Sequence, residues 1–558
     1  MGRFVCAESD GQLSPFSYAL FGAAADAVSA IPSYTPAGCG FFIFLKEGMH
    51  MLQAVHITLT HTKDFRVLVQ DLSFTVNDRQ KTVIIGEEGN GKSTLLRLIH
   101  DPALVEEYIE VTGQIRKNGM RSGYLSQELT ETELTVPVYA FMAEMPGYAD
   151  ATPKELASVC RQVGLEMDML YDDRPMGTLS GGEKVRIRLA GLLLSEPDIL
   201  LLDEPSANLD IDGLIWLEGY LKSCRIPVLF ISHDETLIEA CADSVIHLEQ
   251  TIRKTVPRST FHRIPYGEYV RQRGDALVKN EQLAEKEKAE FRKKMERYRQ
   301  ICQKVEHQQN TISRADPHGG RMLKKKMHTV KAMGRRFEKE EASLTKKIDV
   351  EESIMIAFDE KITQPAGKTV LEYRLDSLTS PDGTELARNI ELQVSGGEKV
   401  CIIGRNGMGK TTLLKQIWKA LEKRTDLRTA YMPQEYSDLL DFTATPTEFL
   451  MRRGLERSRV RTYLGSVKFT PDEMRHPIGE LSGGQKAKLF FLDMILSGAD
   501  TLILDEPTRN FSPLSGPVIR EILADFGGTV ICVTHDRKLI DEVFDTVYAL
   551  TEDGLVEV

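Results

Sequence analysis

The sequence lacks several features that define whole classes of protein. None of its eight cysteines belongs to a C-x-x-C pair or a tight cluster, which argues against zinc, iron–sulfur and disulfide-stabilised folds. No run of 18 or more apolar residues occurs, so the sequence predicts no membrane-spanning helix. Acidic residues outnumber basic ones, 82 to 70, which excludes a uniformly basic nucleic-acid coat protein but not a local basic patch. The 558 residues are too many for one compact core and predict about three or four domain-sized units.

The N-terminal region fits neither a clean signal peptide nor a transmembrane helix. Residues 12–45 are apolar and rich in small side chains, but Asp26, Pro32 and Pro36 interrupt them. The codons for residues 46–48 can form a purine run that resembles a bacterial ribosome-binding sequence, a short distance before Met51. We therefore expect residues 1–50 to be an N-terminal extension, either a leader or the product of a mis-set start codon, with the native start at Met49 or Met51.

The chain contains two copies of a phosphate-binding sequence, each preceded by a β-branched run. The first reads Gly-Glu-Glu-Gly-Asn-Gly-Lys-Ser over residues 86–93, and the second reads Gly-Arg-Asn-Gly-Met-Gly-Lys-Thr over residues 404–411. Both fit G-x-x-x-x-G-K-[ST], the P-loop, in the strand-to-helix context that this motif requires. The glycines let backbone N–H groups face phosphates, and the lysine reaches the β- and γ-phosphates. Two such matches predict two nucleotide sites.

Further motifs repeat downstream with constant spacing. The pairs are Leu-Ser-Gly-Gly at 179–182 and 481–484, Asp-Glu-Pro at 203–205 and 505–507, and His233 and His535. The members of each pair are 302 residues apart, and an upstream glutamine also recurs, as Gln127 and Gln434. Such rigid spacing indicates that a whole domain was duplicated.

These motifs, in this order, resemble the ATP-binding-cassette (ABC) family twice over in one polypeptide. The resemblance implies an α/β fold with two P-loop NTPase nucleotide-binding domains, and the alternation of apolar strands with helical segments independently favours a parallel-stranded core. We expect the first domain at residues 51–250, an interdomain linker at 251–367 and the second domain at 368–558. The implied activity is Mg²⁺-dependent hydrolysis of ATP to ADP and phosphate, with two ATP and two Mg²⁺ per chain.

The resemblance also implies roles for individual residues. In this family each ATP lies between the P-loop of one cassette and the signature Ser-Gly-Gly of the other. The implied catalytic residues are Glu204, Glu506, His233, His535, Gln127 and Gln434. The implied nucleotide-binding residues are Gly86, Glu87, Glu88, Gly89, Asn90, Gly91, Lys92, Ser93, Thr94, Ser180, Gly181, Gly182, Gly404, Arg405, Asn406, Gly407, Met408, Gly409, Lys410, Thr411, Thr412, Ser482, Gly483 and Gly484. The implied Mg²⁺ ligands are Ser93, Asp203, Thr411, Asp505, Gln127 and Gln434, which carry the oxygen atoms that Mg²⁺ prefers.

Some positions need a separate interpretation. Residues 395–400 repeat a hexapeptide of the first signature, but they lie just before the second P-loop strand and are predicted to form a hairpin turn. Phe65 and Tyr373 are candidates for stacking on adenine, although aromatic residues near strands are more often core residues. Ser512 stands where the first copy has Asp210, so communication across one of the two sites is in question.

The segment between the two cassettes has the pattern of a coiled coil. At about 115 residues it is longer than a tether needs to be. Apolar residues recur every seven positions in two runs, namely Phe291, Tyr298, Val305 and Ile312, then Leu323, Val330, Phe337 and Leu344. A breaker rich in Gly and Pro separates the runs at 315–320, which predicts an antiparallel helical hairpin that turns near residue 317. A helix from about Glu268 to Ile312 would reach roughly 65 Å.

The predicted tip of this hairpin is strongly basic. Residues 312–337 contain only one acidic residue, Asp316, but eight basic ones. The basic residues are Arg314, Arg321, Lys324, Lys325, Lys326, Lys331, Arg335 and Arg336. A solvated coiled-coil face is the simpler interpretation of charged helices in general. One-sided charge at a projecting tip, on a chain of net charge −12, favours contact with phosphate groups instead.

Tandem cassettes with a basic helical linker resemble the ABC-F family of ribosome-associated ATPases. In that family the linker enters the tRNA exit site and touches ribosomal RNA and peptidyl-tRNA, so the resemblance implies a cytoplasmic translation factor or ribosomal protection protein that works as a monomer. The short span from Gln127 to Ser180 and the sequence Asn-Phe-Ser-Pro at 510–513 look most like the Gram-positive members that confer antibiotic resistance. The alternative is a fused ATPase subunit of a transporter with separate membrane subunits, but importer pairs of that kind have short linkers.

Overall fold

The structure is a computed structural model that describes residues 51–251, 256–311, 317–345, 348, 358, 361–380, 383–436 and 439–558. The expectation that residues 1–50 are an extension lies outside these described residues. Residues Met49–Val558 form one compact unit. None of the helices in the described ranges is both long and apolar enough to span a lipid bilayer.

The first cassette is built on two sheets. Its described strands are β1 (Leu52–His61), β2 (Val67–Val76), β3 (Lys81–Ile85), β4 (Ile109–Arg116), β5 (Ser122–Leu125), β6 (Ile199–Asp203), β7 (Val228–Ile231), β8 (Ser244–Gln250) and β9 (Val256–His262). One sheet has the order β2-β1-β4 and is antiparallel, and the other has the order β5-β6-β7-β3-β8-β9. The larger sheet is parallel except for β9. Strands β3, β6, β7 and β8 are buried along their whole length, as their continuous apolar runs predict for a sheet covered on both faces.

Helices cover this sheet and follow its strands. They are α1 (Lys92–His100), α2 (Glu131–Thr135), α3 (Val138–Ala143), α4 (Pro153–Val163), α5 (Gly181–Leu194), α6 (Ile211–Ser223) and α7 (Glu235–Cys241). Short 3₁₀ turns occur at Pro102–Leu104, Met167–Tyr171 and Met176–Thr178. Because α1 starts directly after the P-loop and α5 directly after the signature, both motifs lie at helix N-termini.

A long helical pair follows the first cassette, as the heptads predict. Helix α8 (Tyr266–Thr311) has 46 residues, which at 1.5 Å per residue is about 69 Å, and α9 (Pro317–Ser343) packs along it. Phe337 contacts both Tyr298 and Phe291, with ring centroids 5.5 and 6.3 Å away. The predicted turn at 315–320 lies partly outside the described residues.

The second cassette repeats the topology of the first. Its strands are β10 (Thr369–Thr379), β11 (Glu385–Ser395), β12 (Lys399–Ile403), β13 (Thr429–Met432), β14 (Thr501–Asp505), β15 (Thr529–Val533), β16 (Thr546–Thr551) and β17 (Gly554–Glu557). Its helices are α10 (Lys410–Glu422), α11 (Pro446–Met451), α12 (Arg457–Ser466), α13 (Gly483–Ser497), α14 (Gly516–Ala524) and α15 (Arg537–Val543), with 3₁₀ turns at Ile478–Glu480 and Pro513–Ser515. The sheet order β13-β14-β15-β12-β16-β17 matches that of the first cassette strand for strand, which confirms the α/β fold and the duplication.

The prediction of a hairpin turn at residues 395–400 is wrong in one respect. These residues do form a tight turn, with Ser395 N–H donating to the Glu398 carboxylate at 2.9 Å. The two strands that they join do not pair, because β11 pairs with β10 while β12 pairs with β15 and β16. The turn therefore connects two sheets, a distinction that depends on which strands pair and not on the turn sequence.

Candidate functional site

The two P-loops wrap around their own lysines. The residues before the helices, Gly91 and Gly409, have φ of 88° and 86°, a left-handed conformation that side chains rarely adopt. The Lys92 ammonium donates to the Gly86 carbonyl at 2.8 Å, and Lys410 makes the same contact with its own loop. Burial lowers the pKa of both lysines. Each loop therefore presents a helix N-terminus and a pre-positioned cation to an anion.

The two signatures are N-caps of helices. Ser180 accepts a hydrogen bond from the N–H of Glu183 at 3.2 Å, and Glu183 accepts one in return from the Ser180 N–H. Ser482 and Gln485 form the same reciprocal pair at the start of α13. This capping box fixes the helix starts without using the N–H groups of the glycines that follow each serine, so these groups can donate to an anion.

An acidic residue and a hydroxyl meet beside each P-loop, as a Mg²⁺ site requires. Ser93 donates to Asp203 at 2.9 Å, and the Thr411 hydroxyl lies beside the buried carboxylate of Asp505. Burial raises the pKa of Asp203 and raises that of Asp505 to about 6. Within the described residues, no three His, Cys, Asp or Glu side chains cluster to hold a metal by themselves. These residues fit a Mg²⁺ ion that takes its remaining ligands from hydroxyls and phosphate oxygens.

The two glutamates that follow these aspartates share a strained backbone. Glu204 and Glu506 both have φ of 51°, in the left-handed region that is uncommon for residues with a side chain. Strain of this kind persists only where the surrounding fold enforces it, and it concentrates at functional sites. The conformation aims the buried Glu204 carboxylate and the half-buried Glu506 carboxylate into the space beside the P-loops.

The electrostatic settings of the two glutamates differ. Burial raises the pKa of Glu204, but His233, with its Nε2 3.1 Å from the carboxylate, and Lys92 outweigh it, so the pKa lies below its ordinary value. Burial and the neighbouring Asp505 raise the pKa of Glu506 to about 7. The histidine beside it, His535, is 3.7 Å away, and burial lowers its pKa to about 4. Near neutral pH the first glutamate is thus ionised and the second is close to half protonated.

A cavity of about 1520 Å³ is lined by residues of both cassettes. The predicted residues on its wall are Glu88, Gly89, Gly91, Lys92, Ser93, Thr94, Gln127, Ser180, Gly181, Glu204, His233, Asn406, Gly407, Gly409, Lys410, Thr411, Thr412, Gln434, Asp505, Glu506 and His535. The predicted residues that do not line it are Gly86, Glu87, Asn90, Gly182, Asp203, Gly404, Arg405, Met408, Ser482, Gly483 and Gly484. Some of the latter support the loop, since Asn90 donates from its side chain to the Leu248 carbonyl at 3.0 Å.

Several contacts cross between the cassettes at this cavity. The Gly484 N–H of the second signature donates to Glu88 of the first P-loop at 2.9 Å, and Lys488 pairs with Glu87. The His233 ring shares a hydrogen bond of 2.7 Å with the Phe511 carbonyl. The first P-loop therefore faces the second signature, the arrangement that the resemblance implied.

The second P-loop faces the first cassette through a different set of groups. Asn406 donates from its side chain to the Asn208 carbonyl at 2.6 Å and from its backbone to Asp210 at 3.4 Å. Arg509 donates to the Asn208 side chain at 2.7 Å. Sequence reasoning missed Asn208 and Arg509. A signal existed only for Asn208, because Asn stands at the same position after both Asp-Glu-Pro motifs, as Asn208 and Asn510.

Neither aromatic residue that was a candidate for stacking on adenine lines the cavity. Phe65 is 76% exposed and is not among the residues that line the cavity, while the Tyr373 hydroxyl donates to Gln416 at 2.8 Å. The residues that do line the cavity upstream of the P-loops are Leu68 in the first cassette and Ser380 and Leu386 in the second. Aliphatic side chains carry no distinguishing sequence signal at such positions, so only the packing locates them.

Comparison with known proteins agrees with this geometry. The ABC transporter family matches residues 69–207 and 387–509, the two parts of the chain that carry the P-loops. The ATP-binding protein Uup of Escherichia coli is 28% identical over 531 residues, which cover 88% of this chain and 79% of the relative. The ABC transporter F family member 5 of Arabidopsis thaliana is 26% identical over 545 residues, covering 88% and 73%. The archaeal ribosome recycling factor aABCE1, solved in complex with the stalk protein aP1, shares the fold with a TM-score of 0.56, 18% identity and 90% coverage of each chain.

Two matched domains on two equivalent sheets define this chain as a tandem ATP-binding-cassette ATPase. The chain binds and hydrolyses ATP, with the Mg²⁺ ion typical of such domains. Members of the ABC-F family are among its relatives, the Arabidopsis protein for example, and its motifs resemble that family.

Proposed function

We propose that this ABC-F ATPase acts on the ribosome in the cytoplasm, where closure of the two cassettes around ATP positions the α8–α9 hairpin in the tRNA exit site. Two ATP and two Mg²⁺ bind per chain. Site one is formed by the first P-loop and the second signature, and site two by the second P-loop and the first signature. The cross-cassette contacts of Glu88 and Asn406 support this pairing.

The residue roles follow from the chemistry of each position. Glu204 and Glu506 accept a proton from the attacking water, and the carboxylates and hydroxyls beside each P-loop hold Mg²⁺. The two histidines and the glutamines Gln127 and Gln434 contact the phosphate end of the nucleotide. Residues 51–250 and 368–558 act as the two ATPase domains, and residues 251–367 act as the lever between them.

The observation that carries the proposal is the anchoring of the lever at its first end. Tyr266 of α8 is fully buried, the Tyr269 hydroxyl shares a hydrogen bond of 2.7 Å with His247, and Arg273 pairs with Glu249. His247 and Glu249 lie on β8, which pairs with the P-loop strand β3. A rotation of the first cassette therefore moves α8 with it.

The other end of the linker is anchored to the second cassette. Phe358 packs into the core of that cassette, with its ring centroid 4.5 Å from that of Phe526. Gln364 donates to Asp500 at 3.0 Å and accepts from Thr529. Because each end follows a different cassette, a change in the angle between the cassettes is transmitted to the hairpin.

The far end of the hairpin presents the charge that an RNA partner requires. Of the eight predicted basic residues, Arg314 lies outside the described residues. The other seven are exposed: Arg321, Lys324, Lys325, Lys326, Lys331, Arg335 and Arg336. No acidic residue occurs between 317 and 337, so this surface is uniformly positive. Phosphate neutralisation by such a surface makes binding strong at low salt and weak at high salt.

Sedimentation through sucrose with ATP tests the proposal. The double variant E204Q/E506Q should bind ATP without hydrolysing it and remain with the ribosomes. Replacing Lys324, Lys325 and Lys326 with Gln in this double variant should release the protein from the ribosomes and weaken the salt dependence of its ribosome binding, with ATP binding unchanged. A matched control places the same three substitutions at exposed lysines near the base of α8, Lys279, Lys286 and Lys288. A double variant found only in ribosome-free fractions, or bound to a membrane protein, would favour the alternative transporter function.

The antibiotic-resistance role is a separate part of the proposal. Expression in a susceptible strain should raise the minimum inhibitory concentrations of lincosamide, streptogramin A and pleuromutilin drugs that act on the large subunit. The triple Gln variant of the tip serves as the control, because it keeps the ATPase domains intact. Ribosome binding with no change in drug susceptibility would instead indicate a translation factor that has no role in drug resistance.

A further inference from the structure

The two P-loops differ in charge at the two positions that follow their first glycine, and the second of these positions faces the opposite signature in site one. Site one has Glu88 there and site two has Asn406, and the preceding residues are Glu87 and Arg405. The first loop thus adds two negative charges at a place built to receive phosphate, whereas the second adds one positive charge. Nothing in the ATPase chemistry requires this difference.

Glu88 is placed where it competes with a phosphate group. Its carboxylate accepts the hydrogen bond of the Gly484 N–H, in the first turn of α13. A methyl group placed on the neighbouring Gly483 would lie 3.1 Å from the same carboxylate oxygen, so Glu88 sits directly over the helix start. This helix N-terminus is an anion site, and in site one it faces the γ-phosphate.

A second contact holds Glu88 in this position. The adjacent Glu87 pairs with Lys488, which lies on α13 one turn further on, and the side chains are only 14% and 6% exposed. The loop is therefore fixed to the second signature helix at two neighbouring points. In site two the counterpart of Gly483 is Gly181, where a methyl group would meet the Asn208 carbonyl, and the counterpart of Gly484 is Gly182, which has no atom within 4 Å of that position; neither has a P-loop carboxylate among its nearest neighbours.

We propose that Glu88 is a specificity-determining residue of site one. Its carboxylate holds the Gly484 N–H, which a γ-phosphate must take over, so that site one favours ATP over ADP less than site two does. A diphosphate leaves the contact in place, whereas a triphosphate must displace it. Site two has Asn406 in place of Glu88, and within the described residues no carboxylate accepts a hydrogen bond from the Gly182 N–H, so we expect this site to bind ATP more selectively. This inference rests on the pairing of P-loop and signature proposed above.

The test measures ATP and ADP affinities at site one alone. The full-length chain carries Lys410→Ala to disable site two and Glu204→Gln to prevent turnover, and binding is followed by calorimetry with Mg²⁺. Adding Glu88→Asn, the residue of the second P-loop, should raise ATP affinity about tenfold or more, the effect of no longer breaking a charge-assisted hydrogen bond. ADP affinity should change much less.

A control separates this specific competition from general repulsion. Glu128 also lines the cavity, and within the described residues no hydrogen bond or ion pair joins it to α13, so Glu128→Gln removes one charge without freeing the signature. It should shift ATP and ADP affinities by the same factor. An unchanged ratio of ATP to ADP affinity on Glu88→Asn would overturn the proposal and leave the two-site function intact.

The reciprocal substitution covers the case in which Glu88→Asn does not fold. Asn406→Glu, in a chain with Lys92→Ala and Glu506→Gln, should lower the ratio of ATP to ADP affinity at site two by a similar factor. An unchanged ratio there would also count against the proposal. If the Lys410→Ala chain binds no nucleotide with or without Glu88→Asn, site one itself is absent, and the failure belongs to the proposed function.

Discussion

The two glutamates that we propose as general bases should give the two proposed ATPase sites different pH profiles. Glu506, in site two, has its pKa raised to about 7 by burial and by Asp505, whereas the pKa of Glu204 is held low by His233 and Lys92. A general base acts only when it is deprotonated. The rate at site two is therefore lost as pH falls through about 7, and the rate at site one is retained.

The size of the effect follows from the two pKa values. A carboxyl of pKa about 7 is roughly one-tenth ionised at pH 6 and nine-tenths ionised at pH 8, so the rate at site two should rise about tenfold. Glu204 is fully ionised over this range, so the rate at site one should stay within about twofold.

Single-site variants make the comparison possible. E204Q leaves site two as the active site, and E506Q leaves site one. ATP turnover is measured from pH 6 to 8 at constant ionic strength, with circular dichroism to show that each variant stays folded. Titration of the nucleotide affects both variants alike. The ratio of their turnover rates therefore reports only the ionisation of protein groups. Identical profiles for the two variants would refute the reasoning.

Two further predictions concern stability. Arg520 is 6% exposed and pairs across the cassettes with Glu235, so Arg520→Ala should lower the free energy of unfolding by about 2 kcal/mol. The loss is smaller than for a fully isolated pair because Lys538 remains beside Glu235. Urea denaturation measures the loss, and a value no larger than that of the exposed control Arg374→Ala would contradict the prediction. A methyl group on Gly334 would lie 2.5 Å from the Tyr298 hydroxyl, so Gly334→Ala should destabilise the hairpin by about 1–3 kcal/mol. Hydrogen exchange in α8 and α9 reports this, and unchanged protection would refute it.

The repeated elements could be predicted from the sequence because their signals are local. A P-loop needs only a strand, a glycine-rich turn and a helix start within about a dozen residues, and these occur as predicted at Lys92 and Lys410. The heptads likewise identified α8 and α9, since apolar residues at a spacing of seven share one helix face. The turn at 395–400 shows the limit, because its sequence specifies a turn but not which strands pair.

The sequence by itself determined the duplicated motifs, the α/β fold and the helical hairpin, because each depends on residues that are neighbours along the chain. Only the tertiary structure decided that Glu88 meets Gly484, a contact between residues 396 positions apart. It also decided that Glu204 and Glu506, in the same Asp-Glu-Pro motif, have pKa values shifted in opposite directions. The physical reason is that burial and charge at a site are set by groups from distant parts of the chain, which identical local sequences do not specify.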